Sequence, residues 1–154
     1  MGNRAVITIA KYDDLGDLIN KVDNEEIGVY LHWNGGYDSV SAFLHYCNLK
    51  NYRCPENDNY GWARLCQVIG NYFGGECSIG IDKCKCLDCD NWDNGVYLIK
   101  DWNIVGRVYY EGSEQNHYDL KEMLTEINKR QPISEQLDIK IINDYVDKLN
   151  LGGK

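Results

Sequence analysis

Residues 28–39 read Gly28-Val29-Tyr30-Leu31-His32-Trp33-Asn34-Gly35-Gly36-Tyr37-Asp38-Ser39, and the rest of the chain is laid out around them. Val29, Leu31 and Trp33 fall on one side of an extended segment and Tyr30 and His32 on the other, which predicts a strand. Gly35 and Gly36 accept positive φ at little steric cost, so a sharp reversal is expected there. Asp38 or Ser39 then caps a helix whose apolar positions are Val40, Phe43, Leu44 and Cys47. A glycine-rich turn that feeds free helix N–H groups suits an anion. From the pattern alone, a plain strand-to-helix connection is the favoured reading.

On the N-terminal side, Ala5 to Ile9 reads as a first strand, and the polar, acidic stretch Lys11 to Glu26 as an insertion with a short helix around Leu15, Leu18 and Ile19. On the C-terminal side the first helix runs to about Lys50, and Pro55 breaks a loop over 51–59. Trp62, Leu65, Cys66, Ile69, Tyr72 and Phe73 recur at helical spacing, and Gly74-Gly75 ends that helix. Strands follow at Cys77 to Asp82, Gly95 to Lys100 and Ile104 to Tyr110, the last two joined by a tight turn at Asp101-Trp102-Asn103. Asp93-Asn94-Gly95 is a turn signal. A helix over Leu120 to Lys129 precedes Pro132. Another starts near Ser134 with Leu137, Ile141, Ile142, Tyr145, Val146 and Leu149 on its apolar face. The expected fold is a single α+β domain over 1–154: a mainly antiparallel sheet, two inserted helices, and a C-terminal helical pair within 118–150.

The 154 residues suffice for one core. No stretch is apolar for the ~20 residues that cross a bilayer, and no basic-then-apolar leader opens the chain. A soluble, intracellular protein without a membrane partner is expected. A formal charge of −8 argues against general DNA or RNA binding, which draws on Lys and Arg at phosphates. A small phosphorylated ligand needs only one or two of the arginines at 4, 53, 64, 107 and 130. Twelve tyrosines and four tryptophans supply rings with polar tips, common at interfaces and in base-stacking pockets.

Seven cysteines cannot all pair internally. Cys86 and Cys89 have a zinc-knuckle gap with Cys84 alongside, but a structural zinc site takes four ligands and the second pair is missing. A reduced thiol loop is the favoured reading, with no metal. Asp88 to Gly95 resembles a calcium loop, but with Asp90 as the first ligand Trp92 falls at the third position, where an oxygen is required. His32, His45 and His117 form no recognisable catalytic spacing, and His45 reads as a structural histidine. No cofactor motif is present. Arg107 stands apart. It lies inside a predicted strand next to Gly106, where a backbone or ligand can approach closely, and a guanidinium on a rigid strand suits bidentate phosphate contact. From the residues alone, a strand arginine paired with one of the many carboxylates is the favoured reading.

Four segments carry a resemblance: Gly28 to Gly36, Asn59 to Asn71, Asp93 to Tyr97, and Ile104 to Arg107. Spanning roughly Gly28 to Leu124, they resemble the first type of Thoeris anti-defence protein, a family of small bacteriophage proteins. The resemblance implies a non-catalytic sponge acting in the host bacterial cytoplasm. It would bind a cyclic ADP-ribose isomer, made from NAD by a bacterial TIR-domain enzyme, before that signal activates an NAD-depleting effector. It also implies a homodimer or higher homo-oligomer, with cyclic di- or trinucleotides bound by some members at separate sites. Ligand-binding roles carry over to Arg107 and Asn94, with Asn34, Trp33, Tyr37 and Arg64 as further candidates. Tyr37 stands where the family is expected to have arginine, which shifts the phosphate grip towards Arg107 and Arg64. Two other readings stay open: an enzyme that degrades such a signal, and an inhibitor that binds a host defence protein.

Overall fold

The computed structural model describes residues 3–76, 78–112 and 117–152. Its centre is a five-stranded sheet of β1 (Ala5–Ile9), β4 (Ile27–Leu31), β5 (Ile79–Lys83), β6 (Val96–Lys100) and β7 (Asn103–Val108), in the order β5-β4-β1-β6-β7. Neighbours run antiparallel except β1 and β6, which are parallel. Two helices, α1 (Tyr37–Leu49) and α2 (Asn59–Phe73), are inserted between β4 and β5, and α3 (Leu120–Lys129) and α4 (Ile139–Gly152) close the chain. The fold is thus the expected mainly antiparallel α+β arrangement. No helix among the described residues is long and apolar enough to cross a membrane.

Strand alternation sorts the core into two layers. Ala5, Ile7, Val29, Leu31, Tyr97 and Ile99 point towards the helices and meet Phe43, Leu65, Ile69 and Leu124. Val6, Val96 and Leu98 point the other way, where Val22, Leu18, Cys84 and Leu87 cover them. Leu18 belongs to a small hairpin of β2 (Lys11–Tyr12) and β3 (Leu18–Ile19), not to the helix expected over 11–26. Asp13 makes that turn, accepting the Leu15 and Asp17 amides at 2.9 Å each.

Three further expectations are corrected. The reversal after β4 uses positive φ at Asn34 (φ 55), while the described Gly36 has φ −68 and caps α1 without a side-chain bond. Glycine is needed at 35 for space: a Cβ there would lie 2.5 Å from the Asn3 oxygen. The last helix begins at Ile139, because Asn128 grips both backbone groups of Leu137 (2.8 and 2.9 Å) and holds it outside the helix; only a 3₁₀ turn forms at Ile133–Glu135. On α4, Ile142 and Val146 are buried, whereas Ile141 and Leu149 are exposed. Finally, β7 stops at Val108, since Tyr109 takes φ 62. The expected strand over 77–82 appears as β5; Cys77 lies outside the described residues.

Candidate ligand site

Arg107 sits on β7 directly across from Tyr97 on β6. Its guanidinium carbon lies 4.5 Å from the Tyr97 ring centroid and 4.0 Å from that of Tyr110, so the cation is flanked by two aromatic rings. Its Nη2 donates to the Asn94 carbonyl at 3.1 Å. The approach side expected beside Gly106 is filled: a Cβ there would meet the Leu18 side chain at 3.0 Å, so the glycine makes room for β3.

Asn94 itself is buried. Its Nδ2 donates to the Arg4 carbonyl at 3.0 Å and to the Asn3 side-chain oxygen, and its own amide donates to the same Arg4 carbonyl at 3.1 Å. Its Oδ1 is buried with no hydrogen-bond partner among the described residues. The turn that presents Asn94 is built by Asn91, whose Oδ1 accepts the Asp93 and Gly95 amides at 3.1 and 3.0 Å. Asp93 pairs with Arg4 Nε at 2.8 Å, so this acidic stretch is an ion-paired approach to β6.

Tyr97 joins this group to the turn before α1. Its hydroxyl donates to the Gly35 carbonyl at 2.7 Å. On that turn, Asn34 Nδ2 donates to Ser39 Oγ at 3.1 Å, and Tyr37, the first residue of α1, is about half exposed. Asp38 staples the helix start to a distant segment by accepting the His117 and Tyr118 amides at 2.7 and 3.0 Å. Trp33 and Asn34 then line a surface cavity of about 320 Å³ with Tyr72, Phe73, Glu76 and Arg130. Arg130 lies 4.5 Å over the Tyr72 ring and donates to the Tyr72 carbonyl at 2.8 Å. Burial pushes the Tyr72 phenol up.

Trp33, Asn34 and Tyr37 lie on or beside this turn; Arg107 reaches it only through the Tyr97 ring, Asn94 meets Arg107 through its carbonyl, and neither Arg107 nor Asn94 lines the cavity of Trp33 and Asn34. Arg64 does not join them. It lines a second cavity of about 360 Å³ with Asn51, Tyr52, Arg53 and Tyr60, its guanidinium 5.5 Å over the Tyr52 ring. Sequence reasoning missed Arg130, Tyr72 and Tyr110 as members. Tyr110 was signalled by its closeness to Arg107, whereas Arg130 meets Tyr72 only through the packing of α3 on α2.

What the turn offers is guanidinium donors held against rings, a set suited to phosphate and aromatic-base contact. Among the described residues, the potential metal donors that gather within 4.8 Å are Cys54, Glu56 and Asp101, while Cys84, Cys86 and Cys89 do not form such a trio. Glu56 spends one oxygen on the Asp101 amide at 2.7 Å. No family model matches the chain, and neither a curated protein nor a solved structure does.

Proposed function

We propose that this protein is a non-catalytic sponge for a cyclic ADP-ribose-type signal, a phage anti-defence protein that withholds the signal from a Thoeris effector in the host cytoplasm. The observation that carries this reading is the Arg107 guanidinium set between Tyr97 and Tyr110 and fastened to the turn at Gly35 through Tyr97. A preorganised cation beside aromatic faces loses little entropy when it meets a diphosphate. Arg107 serves the diphosphate, Asn34 and Trp33 the nucleoside, and Arg130 adds a second cation on the Trp33 side. Cyclic di- or trinucleotides fall to the separate cavity of Arg53, Arg64, Tyr52 and Tyr60. Self-association into a homodimer or larger assembly belongs to the same proposal.

Calorimetric titration with cyclic ADP-ribose isomers tests it. Binding at micromolar concentration or tighter is expected, and the ligand recovered by heating the complex should be chemically unchanged. Arg107→Ala is expected to weaken binding by at least about tenfold, the low end for losing a charge-assisted contact. Absence of binding to every isomer would defeat the proposal, and an altered nucleotide would replace it with an enzyme.

A further inference from the structure

The bend that leads into α2 meets the turn between β6 and β7, and the residues at their junction line neither cavity described above. The Cys54 carbonyl accepts the Asn57 and Asp58 amides at 3.0 and 3.2 Å, which folds Cys54-Pro55-Glu56 into a tight bend. α2 packs hard against it: a Cβ at Gly61 would lie 2.5 Å from the Pro55 nitrogen and 2.6 Å from the Arg53 carbonyl oxygen. On the hairpin side, Asp101 and Trp102 both take left-handed backbone, φ 51 and 62, and Trp102 Nε1 donates to the Tyr52 carbonyl at 2.8 Å. The Asp101 amide donates to Glu56 Oε2 at 2.7 Å and closes the junction. One donor atom each of Cys54, Glu56 and Asp101 then lie within 4.8 Å of one another. Glu56 Oε1 is buried with no hydrogen-bond partner, and neither carboxylate is ion-paired among the described residues.

We propose that Cys54, Glu56 and Asp101 bind a single divalent cation of the zinc class. A buried carboxylate oxygen without a donor is unfavourable, and a second carboxylate beside it adds like-charge repulsion; a cation relieves both. The donor set selects the metal. Zinc takes thiolate and carboxylate together, whereas calcium and magnesium take oxygen alone. Around tetrahedral zinc, bonds of about 2.3 Å to sulfur and about 2.0–2.2 Å to oxygen set the donors about 3.3–3.7 Å apart. The three groups therefore need to close by at most about 1.5 Å, within reach of side-chain rotation alone. The backbone on both sides is already fixed, by Gly61 under the bend and by Trp102 in the hairpin, so little order remains to be imposed. Asp101 is exposed, which gives the ion a way in and leaves the fourth position to water. As the metal–sulfur bond forms, the Cys54 thiol releases its proton to solvent. The bound ion ties the entry of α2 to the β6–β7 hairpin.

No nucleotide enters the test, so its outcome is independent of the function proposed above. The full chain, reduced and stripped of metal by a chelator, is titrated with cobalt(II) and then with zinc. A single cobalt per chain is expected, with thiolate-to-cobalt charge-transfer absorption that zinc abolishes by displacement. Zinc should also protect Cys54 from alkylation, mapped by mass spectrometry, and leave the exposed Cys86 reactive. Cys54→Ser should lose the charge-transfer band and Cys86→Ser should keep it. Asp101→Asn is the variant that spares the fold, because asparagine tolerates the left-handed backbone at this position. It should weaken zinc binding by more than about tenfold, the low end for losing even an outer-shell partner, with the metal-free thermal midpoint unchanged. The proposal is overturned if cobalt gives no thiolate band, if the band persists in Cys54→Ser, or if Asp101→Asn binds zinc as tightly as the wild type.

Discussion

At Gly35 the chain passes so close to the start of β1 that an added Cβ would sit 2.5 Å from the Asn3 oxygen, 2.8 Å from the Ala5 Cβ and 2.9 Å from the Arg4 carbonyl carbon. Two of these neighbours are backbone, which cannot swing aside as a side-chain tip can. The same residue donates to the Asn3 carbonyl at 2.8 Å and accepts from the Tyr97 hydroxyl at 2.7 Å. Gly35→Ala is therefore expected to cost about 1–3 kcal/mol of stability, the range for overpacking a tight site, read as a lower urea midpoint in the ligand-free protein. The sequence marked this glycine correctly but for the wrong reason, because a glycine's need for positive φ and its need for space leave the same letter. Arg107 was legible as a strand arginine beside a glycine. That Tyr97 faces it was not, since pairing across β6 and β7 depends on register, and a slip between Leu98 and Ile99 shifts the register along these strands. Arg130 gave no local signal at all: its stack on Tyr72 joins positions 58 residues apart.

Elements whose pattern is internal were readable, and those decided by a distant partner were not. α2 was marked by its own apolar spacing and its glycine stop, and it ends on Gly74 at φ 69 with Asp58 capping its start. The segment over 11–26 has too few apolar residues to show a period, and its Leu18 becomes meaningful only as the filling over Gly106 and Leu98. The start of α4 is displaced by Asn128, a residue of another helix. A further tie links α1 to α4: His45 Nδ1 and the Tyr145 hydroxyl lie 2.6 Å apart. Burial lowers the His45 pKa, so the folded protein resists protonation that the unfolded chain accepts near the usual value of about 6.5. The unfolded state then binds more protons as pH falls below that value. The stability linked to His45 is complete above it and is lost as pH drops towards the folded-state value. His45→Gln keeps a hydrogen-bonding group without the titration. Its urea midpoint is expected to fall less than that of the wild type between about pH 7 and pH 5.5, a window set by the His reference value. Equal falls would place the acid sensitivity elsewhere.

Across the whole molecule, 24 acidic residues face 16 basic ones, leaving a net charge of −8 spread over a small surface. Several cations are held locally: Lys83 and Lys85 at Glu25 (2.9 and 2.6 Å), Arg53 at Asp58 (2.6 Å), Lys11 at Glu26 (2.7 Å). These pairs are largely exposed, and such pairs contribute little individually, about 0–1 kcal/mol each. The surplus of carboxylates, by contrast, repels over the full width of the fold at low ionic strength, where the Debye length is about 30 Å at 0.01 M. Raising the salt to about 0.15 M shortens it to about 8 Å, less than the span of the sheet, and removes most of that long-range repulsion while costing the close pairs little. The thermal midpoint of the ligand-free protein is accordingly expected to rise with sodium chloride over this range. A falling midpoint would mean that the ion pairs outweigh the net charge. The same surplus confines anion binding to places where arginines are locally concentrated and backed by rings. Arg107 with Tyr97 and Tyr110, Arg130 with Tyr72, and Arg64 with Tyr52 beside the ion-paired Arg53 are described arginines held against rings. A long duplex, repelled by the net negative charge, is expected to show no retention on this protein at about 0.15 M salt, where phosphate contacts are already weakened by counterion competition.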